Sequence, residues 1–317
     1  MTGVTHALPR PDVAGLASHW SVQPLALIAA IALVGWYLYG VRRVGAWPAR
    51  RTATFLLGVA LFAWTTSGYP QAYAHSLFWM WTAQTLALLL VVPIVIMAGQ
   101  PVELGRHLGG RDGLVNRALR SPLGRLLQSP LLGPAAVLVL SGVLFFGPLP
   151  GWAISQAAVG WPLHLALLAL GAALALPLVD RGAGDEVSLA VGLALIIGIF
   201  ELILDAVPGI VLRLQTHIVT SFFAHRVVVY PWSPRPLRDQ QFAGGTLWCV
   251  AELIDLPFLI LVFHRWLRAD RAEASRVDAI LEAERHARQA LPEADRPADA
   301  DAPWWLSDPV LRDRFRD

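Results

Sequence analysis

Crossing a bilayer as a helix takes roughly 20 consecutive, mostly apolar residues, and this sequence meets that requirement repeatedly. Seven stretches qualify, at about 24–41, 52–68, 76–98, 132–149, 160–179, 187–212 and 242–264. Backbone groups in hydrocarbon must find partners within their own segment, so apolar runs of this length dictate helices. Charged residues make up only 15% of the chain, too few to clothe a soluble surface. The predicted fold is therefore all-α, a polytopic membrane helix bundle of seven transmembrane helices. The first run follows a polar segment, with neither a basic n-region nor a small-residue cleavage site, and reads as a retained span.

Arginine sets the orientation, because the sequence contains no lysine. The connection after the first span holds Arg42, Arg43, Arg50 and Arg51, and the one after the third holds Arg106, Arg111, Arg117, Arg120 and Arg125. The alternate connections "SGYPQAY" and "GPLPGWAISQAAVGW" have no basic residue. The positive-inside rule then puts the N-terminus outside and the C-terminus in the cytoplasm. The connection 213–240 departs from the rule, with Arg213, Arg226, Arg235 and Arg238, and the other loops outvote it. Three regions result: an extracytoplasmic segment 1–23, the membrane domain 24–265, and a cytoplasmic region 266–317 with a charged helix, an acidic Pro-rich linker and a tryptophan-bearing tail. A bacterial cell membrane is the expected location, with membrane lipids as neighbours. A net charge of +2, with arginines scattered beside apolar spans, is no nucleic-acid footprint.

Polar residues at membrane depth are the candidate functional groups. "LIIGIFELILDAVPGIV" (195–211) sets Glu201 and Asp205 four positions apart on one helix face, and the last span supplies Glu252 and Asp255. A carboxylate in hydrocarbon costs at least ~2.5–3.5 kcal/mol, so these acids should face the bundle interior. Antiparallel neighbours would place Asp205 and Glu252 at similar depth and so line a polar pocket, with the alternative that each acid is protonated and hydrogen-bonded to the next helix. Among possible metal ligands, His75, His164, His217, His225 and Met80 lie on the predicted outer side, and a His/Met set suits copper(I). Taken singly, each histidine reads equally as an interfacial or loop residue; His164 is the one well inside a span. Cys249 is the only cysteine, which excludes a disulfide framework and a CxxC site. No GxSxG elbow, Walker loop or HExxH motif marks a soluble enzyme.

Three segments carry a family resemblance: "SLFWMWTAQTLALLLVVPIVIMAGQPVEL", "RPLRDQQFAGGTLWCVAELIDLPF" and "PWWLSDPVLRDRF". Together they resemble the multi-spanning CtaG family of cytochrome c oxidase assembly proteins. Asp239, Gln240, Gln241, Gly244, Gly245, Trp248 and Glu252 stand at the positions of its DQQ…GG…W…E pattern. The resemblance implies a non-enzymatic helper in maturing a haem–copper oxidase, with oxidase subunits as partners and copper, handled on the outer side, as the candidate cofactor. It also exposes a departure. The family commonly carries a His-Met-x-x-His run in the third span; here Trp81 and Thr85 stand at the histidine positions and Gln84 alone matches. His164 matches a family histidine near the fifth span, and Leu168 occupies the place of a second. Two other readings stay open on the residues alone: a proton- or cation-coupled transporter, since buried acids also make proton relays, and a metal-free structural partner of an oxidase.

Overall fold

A computed structural model describes residues 9–12, 14–110, 113–122, 124, 132–179, 204, 206–224 and 231–289. All regular structure among them is helical. The chain divides into two compact units, Met1–Gly184 with Ile196–Ile260, and Asp185–Leu195 with Leu261–Asp317.

In the first unit, α1 (Pro24–Val44) opens on a proline, whose missing N–H is no loss in a first turn, and ends at Gly45 with φ of 74°. Ile28, Ile31, Trp36 and Tyr39 on its outer face are exposed, as a lipid-facing surface requires. Helix α2 (Ala49–Ser67) leads through α3 (Tyr69–Ala74) into α4 (Phe78–Ala98). Helix α4 contains a π-helical turn, Ala87–Val91, just ahead of Pro93. Proline cannot donate to the carbonyl four residues back, so the Leu89 carbonyl is freed. Helix α9 (Ala157–Val179) lays Gly171 directly against that oxygen, a spacing only a glycine permits. Helices α5 (Pro101–Gly109), α6 (Leu114–Arg120), α7 (Leu132–Phe145), α8 (Leu149–Ser155), α10 (206–214) and α11 (Ser221–Ala224) complete the unit with the first part of α12 (Pro236–Gln289).

Helix α4 is the hub. Its last turns pack on α2, and α9 packs along both those turns and the π-helical segment. Phe55, Phe62, Tyr73, Phe78 and Leu88 are fully buried in the resulting core. At the arginine-rich end, the Tyr37 hydroxyl donates to the Gly99 carbonyl at 2.7 Å, and Arg51 pairs with Glu103 at 3.2 Å. In the second unit, the described residues 261–289 are helical and largely exposed, with Val277, Ile280 and Leu281 forming an apolar stripe.

Among the described residues, three helices are long and apolar enough to cross a membrane, α1, α4 and the Ala157–Leu176 part of α9, where seven spans were expected. The second expected span coincides with α2, which opens on Arg50 and Arg51. The fourth coincides with α7, described over 14 residues, after which a separate helix begins at Leu149. The seventh lies inside α12, and most of the sixth falls outside the described residues.

Candidate functional site

The DQQ motif works at the head of α4. The first N–H groups of a helix have no partner within it, and Leu77, at the cap position, provides no side-chain oxygen. Asp239 supplies two from α12. Its Oδ2 accepts from the Phe78 N–H at 2.7 Å, and Oδ1 accepts from the Trp79 N–H at 3.2 Å. Asp239 is 4% exposed, ahead of the apolar stretch that begins at 242. Burial pushes its carboxyl up to about 6, against the pull of the two N–H donors.

Gln240 uses both ends of its amide on the segment between α10 and α11. Its Oε1 accepts from the Val219 N–H at 2.8 Å, and its Nε2 donates to the His217 carbonyl at 3.1 Å. A turn further, Gly244 and Gly209 let α12 and α10 cross backbone to backbone. A Cβ on Gly244 would sit 2.6 Å from both the Arg213 nitrogen and the Gly209 oxygen. Arg213 Nη1 donates to the Gln241 carbonyl at 3.2 Å, and the Trp248 indole donates to Glu252 Oε1 at 3.2 Å. The motif is thus a clamp joining α4, α10 and α12.

A second feature lies near the starts of α4 and α9. A cavity of about 100 Å³ is lined by Gln71, His75, Trp81, Gln84, Trp161 and His164, with Gln23 and small residues of α8 and α9. Gln84 donates to the Thr65 carbonyl at 2.9 Å and to Gln71 Oε1, which fixes both amides. His75 Nδ1 lies 2.8 Å from the Gln71 carbonyl. A carbonyl only accepts, so the proton sits on Nδ1 and the lone pair on Nε2. His164 is 7% exposed, its ring edge-on to Trp161 at 5.5 Å. Its Nδ1, and the Nε1 of the 3%-exposed Trp81, have no hydrogen-bond partner among the described residues. An unpaired buried polar group costs about 1–3 kcal/mol, and such groups mark places where something else binds.

Of the sequence candidates, His75, His164 and Gln84 thus meet in one cavity. Met80 is buried nearby in the core and is not part of the lining; His217 is exposed on the segment that Gln240 holds. Glu252 is half-buried and engaged by Trp248. Glu201, Asp205 and His225 lie outside the described residues, as does the side chain of Asp255. Among the described residues no group of three His, Cys, Asp or Glu is arranged to hold a metal ion. Sequence reasoning missed Gln71 and Trp161; the signal for Gln71 was an amide just before an apolar span.

Helices built to cross a membrane, knit together by a polar clamp, define a helical membrane protein. The chain belongs to the Caa3_CtaG family, cytochrome c oxidase caa3 assembly factors, whose model matches residues 35–269. It is similar to uncharacterized proteins of Mycobacterium bovis and Mycobacterium tuberculosis, each 26% identical over 300 residues, covering 86% of this chain and 43% of the relative. A Mycobacterium leprae protein is 25% identical with the same coverage. The chain therefore spans under half the length of these curated relatives. No solved structure matches it.

Proposed function

We propose that this protein assists assembly of a haem–copper cytochrome c oxidase in a bacterial cell membrane, handling copper as cargo on the outer side. The family supports the assembly role. The observation that carries the copper reading is the meeting of His75 and His164 on one small cavity, with the His164 Nδ1 unpartnered among the described residues. The Nδ1–H of His75 is bonded to a backbone carbonyl, the arrangement by which metal-binding histidines are oriented and their tautomer fixed. Two imidazoles suit a monovalent, low-coordinate copper ion, and a cavity without a third strong ligand suits release as well as capture.

In this reading the N-terminus lies outside, so the cavity opens toward the side where copper arrives. We further propose that Glu201, Asp205, Glu252 and Asp255 serve as polar groups of the last two expected spans. Oxidase subunits are the receiving partners. The test is copper content of the detergent-purified, full-length protein loaded with Cu(I), beside a His75→Ala/His164→Ala variant. About one copper per chain, lost in the variant, is expected. No copper in either protein would remove the cargo reading and leave assembly through protein contact.

A further inference from the structure

Leu77 and Trp79, at the head of α4, line an open groove of about 770 Å³, a volume typical of ligand sites. Its lining combines two features that belong together at a membrane surface. Arg10 and Arg213 contribute guanidinium groups, and among the described residues no carboxylate lines the groove. Trp79, Trp232 and Phe242 supply aromatic surface of the kind that settles at the headgroup level.

The groove is also graded along its length. Trp79 lies in the first turn of α4 and Arg213 in the last turn of α10, so the basic end sits where helices start and stop. From there the lining follows Phe242, Thr246, Cys249 and Val250 along α12. Those positions share one helix face, and eight residues of helix descend about 12 Å. Phe242 is 43% exposed on that path. Arg213 is held in place: its Nη1 donates to the Gln241 carbonyl, and Gly245, where a Cβ would lie 3.2 Å from that nitrogen, leaves it room.

We propose that this groove binds an anionic phospholipid, the phosphate between Arg10 and Arg213 and an acyl chain along Phe242, Thr246 and Val250. Guanidinium groups bind phosphate through charge-assisted, often paired hydrogen bonds, and the apolar face extending below them fits a chain attached to that phosphate. A free phosphate has no use for that second half.

The experiment is native mass spectrometry of the full-length protein in detergent with phosphatidylglycerol or phosphatidylcholine of matched chains. Wild type should bind phosphatidylglycerol about tenfold more tightly than phosphatidylcholine. Arg10→Gln/Arg213→Gln should erase that preference while Arg43→Gln, on the far end of α1, keeps it. Thr246→Trp, which leaves both arginines and fills the chain path, should lower binding of phosphatidylglycerol. Equal binding of the two lipids by wild type, or an unchanged preference in the double arginine variant, would overturn the proposal. So would full displacement of the lipid by millimolar inorganic phosphate, which would assign the site to a soluble anion.

Discussion

Asp239 caps a helix that starts 161 residues earlier in the chain: its Oδ2 lies 2.7 Å from the Phe78 nitrogen at the head of α4. One carboxylate thereby fixes where the hub helix begins, and with it the positions of Trp81, about one turn further along, and Gln84, nearly two. Replacing Asp239 by alanine leaves the Phe78 and Trp79 N–H groups buried without partners. Asp239→Ala should destabilise the protein by about 2–4 kcal/mol, from two lost charge-assisted bonds. Asp239→Asn, which keeps one acceptor, should lose less. Thermal unfolding in detergent ranks the three proteins, and equal midpoints would sink the capping role.

The same residue predicts a pH dependence. Its folded-state value of about 6 lies above the ordinary 3.8, so between these the folded protein holds the proton more tightly than the unfolded chain. The Asp239 contribution to stability is then highest below about pH 4 and falls as pH rises through 6. Unfolding midpoints measured across pH 4–7 should show that decline in wild type and a shallower one in Asp239→Asn. Identical slopes would mean the carboxyl titrates normally.

Gly244 and Gly245 are adjacent in sequence and should answer differently to alanine. At Gly244 the new methyl meets backbone atoms of Arg213 and Gly209 at 2.6 Å, which cannot step aside. At Gly245 it meets the far end of the Arg213 side chain at 3.2 Å. Gly244→Ala should cost about 1–3 kcal/mol through forced separation of α10 and α12, and Gly245→Ala well under half of that. A larger loss for Gly245→Ala in the same unfolding assay would contradict the crossing.

Gln240 needs both an acceptor and a donor, so no charged or apolar substitute serves. Gln240→Glu turns a donor into an acceptor facing the His217 carbonyl, and Gln240→Leu strands two backbone groups. Each should loosen residues 215–220, at about 1–3 kcal/mol. Amide hydrogen exchange reads this directly: protection of Val219 should fall in both variants, and unchanged protection would rule out the latch.

Much of the helical architecture was legible from the apolar runs, because hydrocarbon leaves a backbone no alternative. The number of crossings was less so: α2 carries arginines in its first turn, and α7 gives way to a new helix at Leu149, features that a running apolar count smooths over. The motif residues Asp239, Gln240 and Gly244 were visible as a pattern, but their work is done on Phe78, Val219 and Gly209, and no local rule names partners so distant in sequence. Trp81 was legible only as a departure from the family's histidine. In three dimensions Trp81 lines the cavity. That His75 and His164 line one cavity could not be read from spacing, since His75 follows α3 and His164 lies in α9, far apart in sequence.

In the proposed function that cavity serves oxidase maturation. The most direct measurement is the copper content of the cytochrome c oxidase purified from cells lacking this protein and complemented with wild type, His75→Ala or His164→Ala, each at matched protein level. Copper-replete oxidase is expected with wild type and copper-deficient oxidase with either variant. Full copper content in the variant strains, or in cells lacking the protein altogether, would contradict that function.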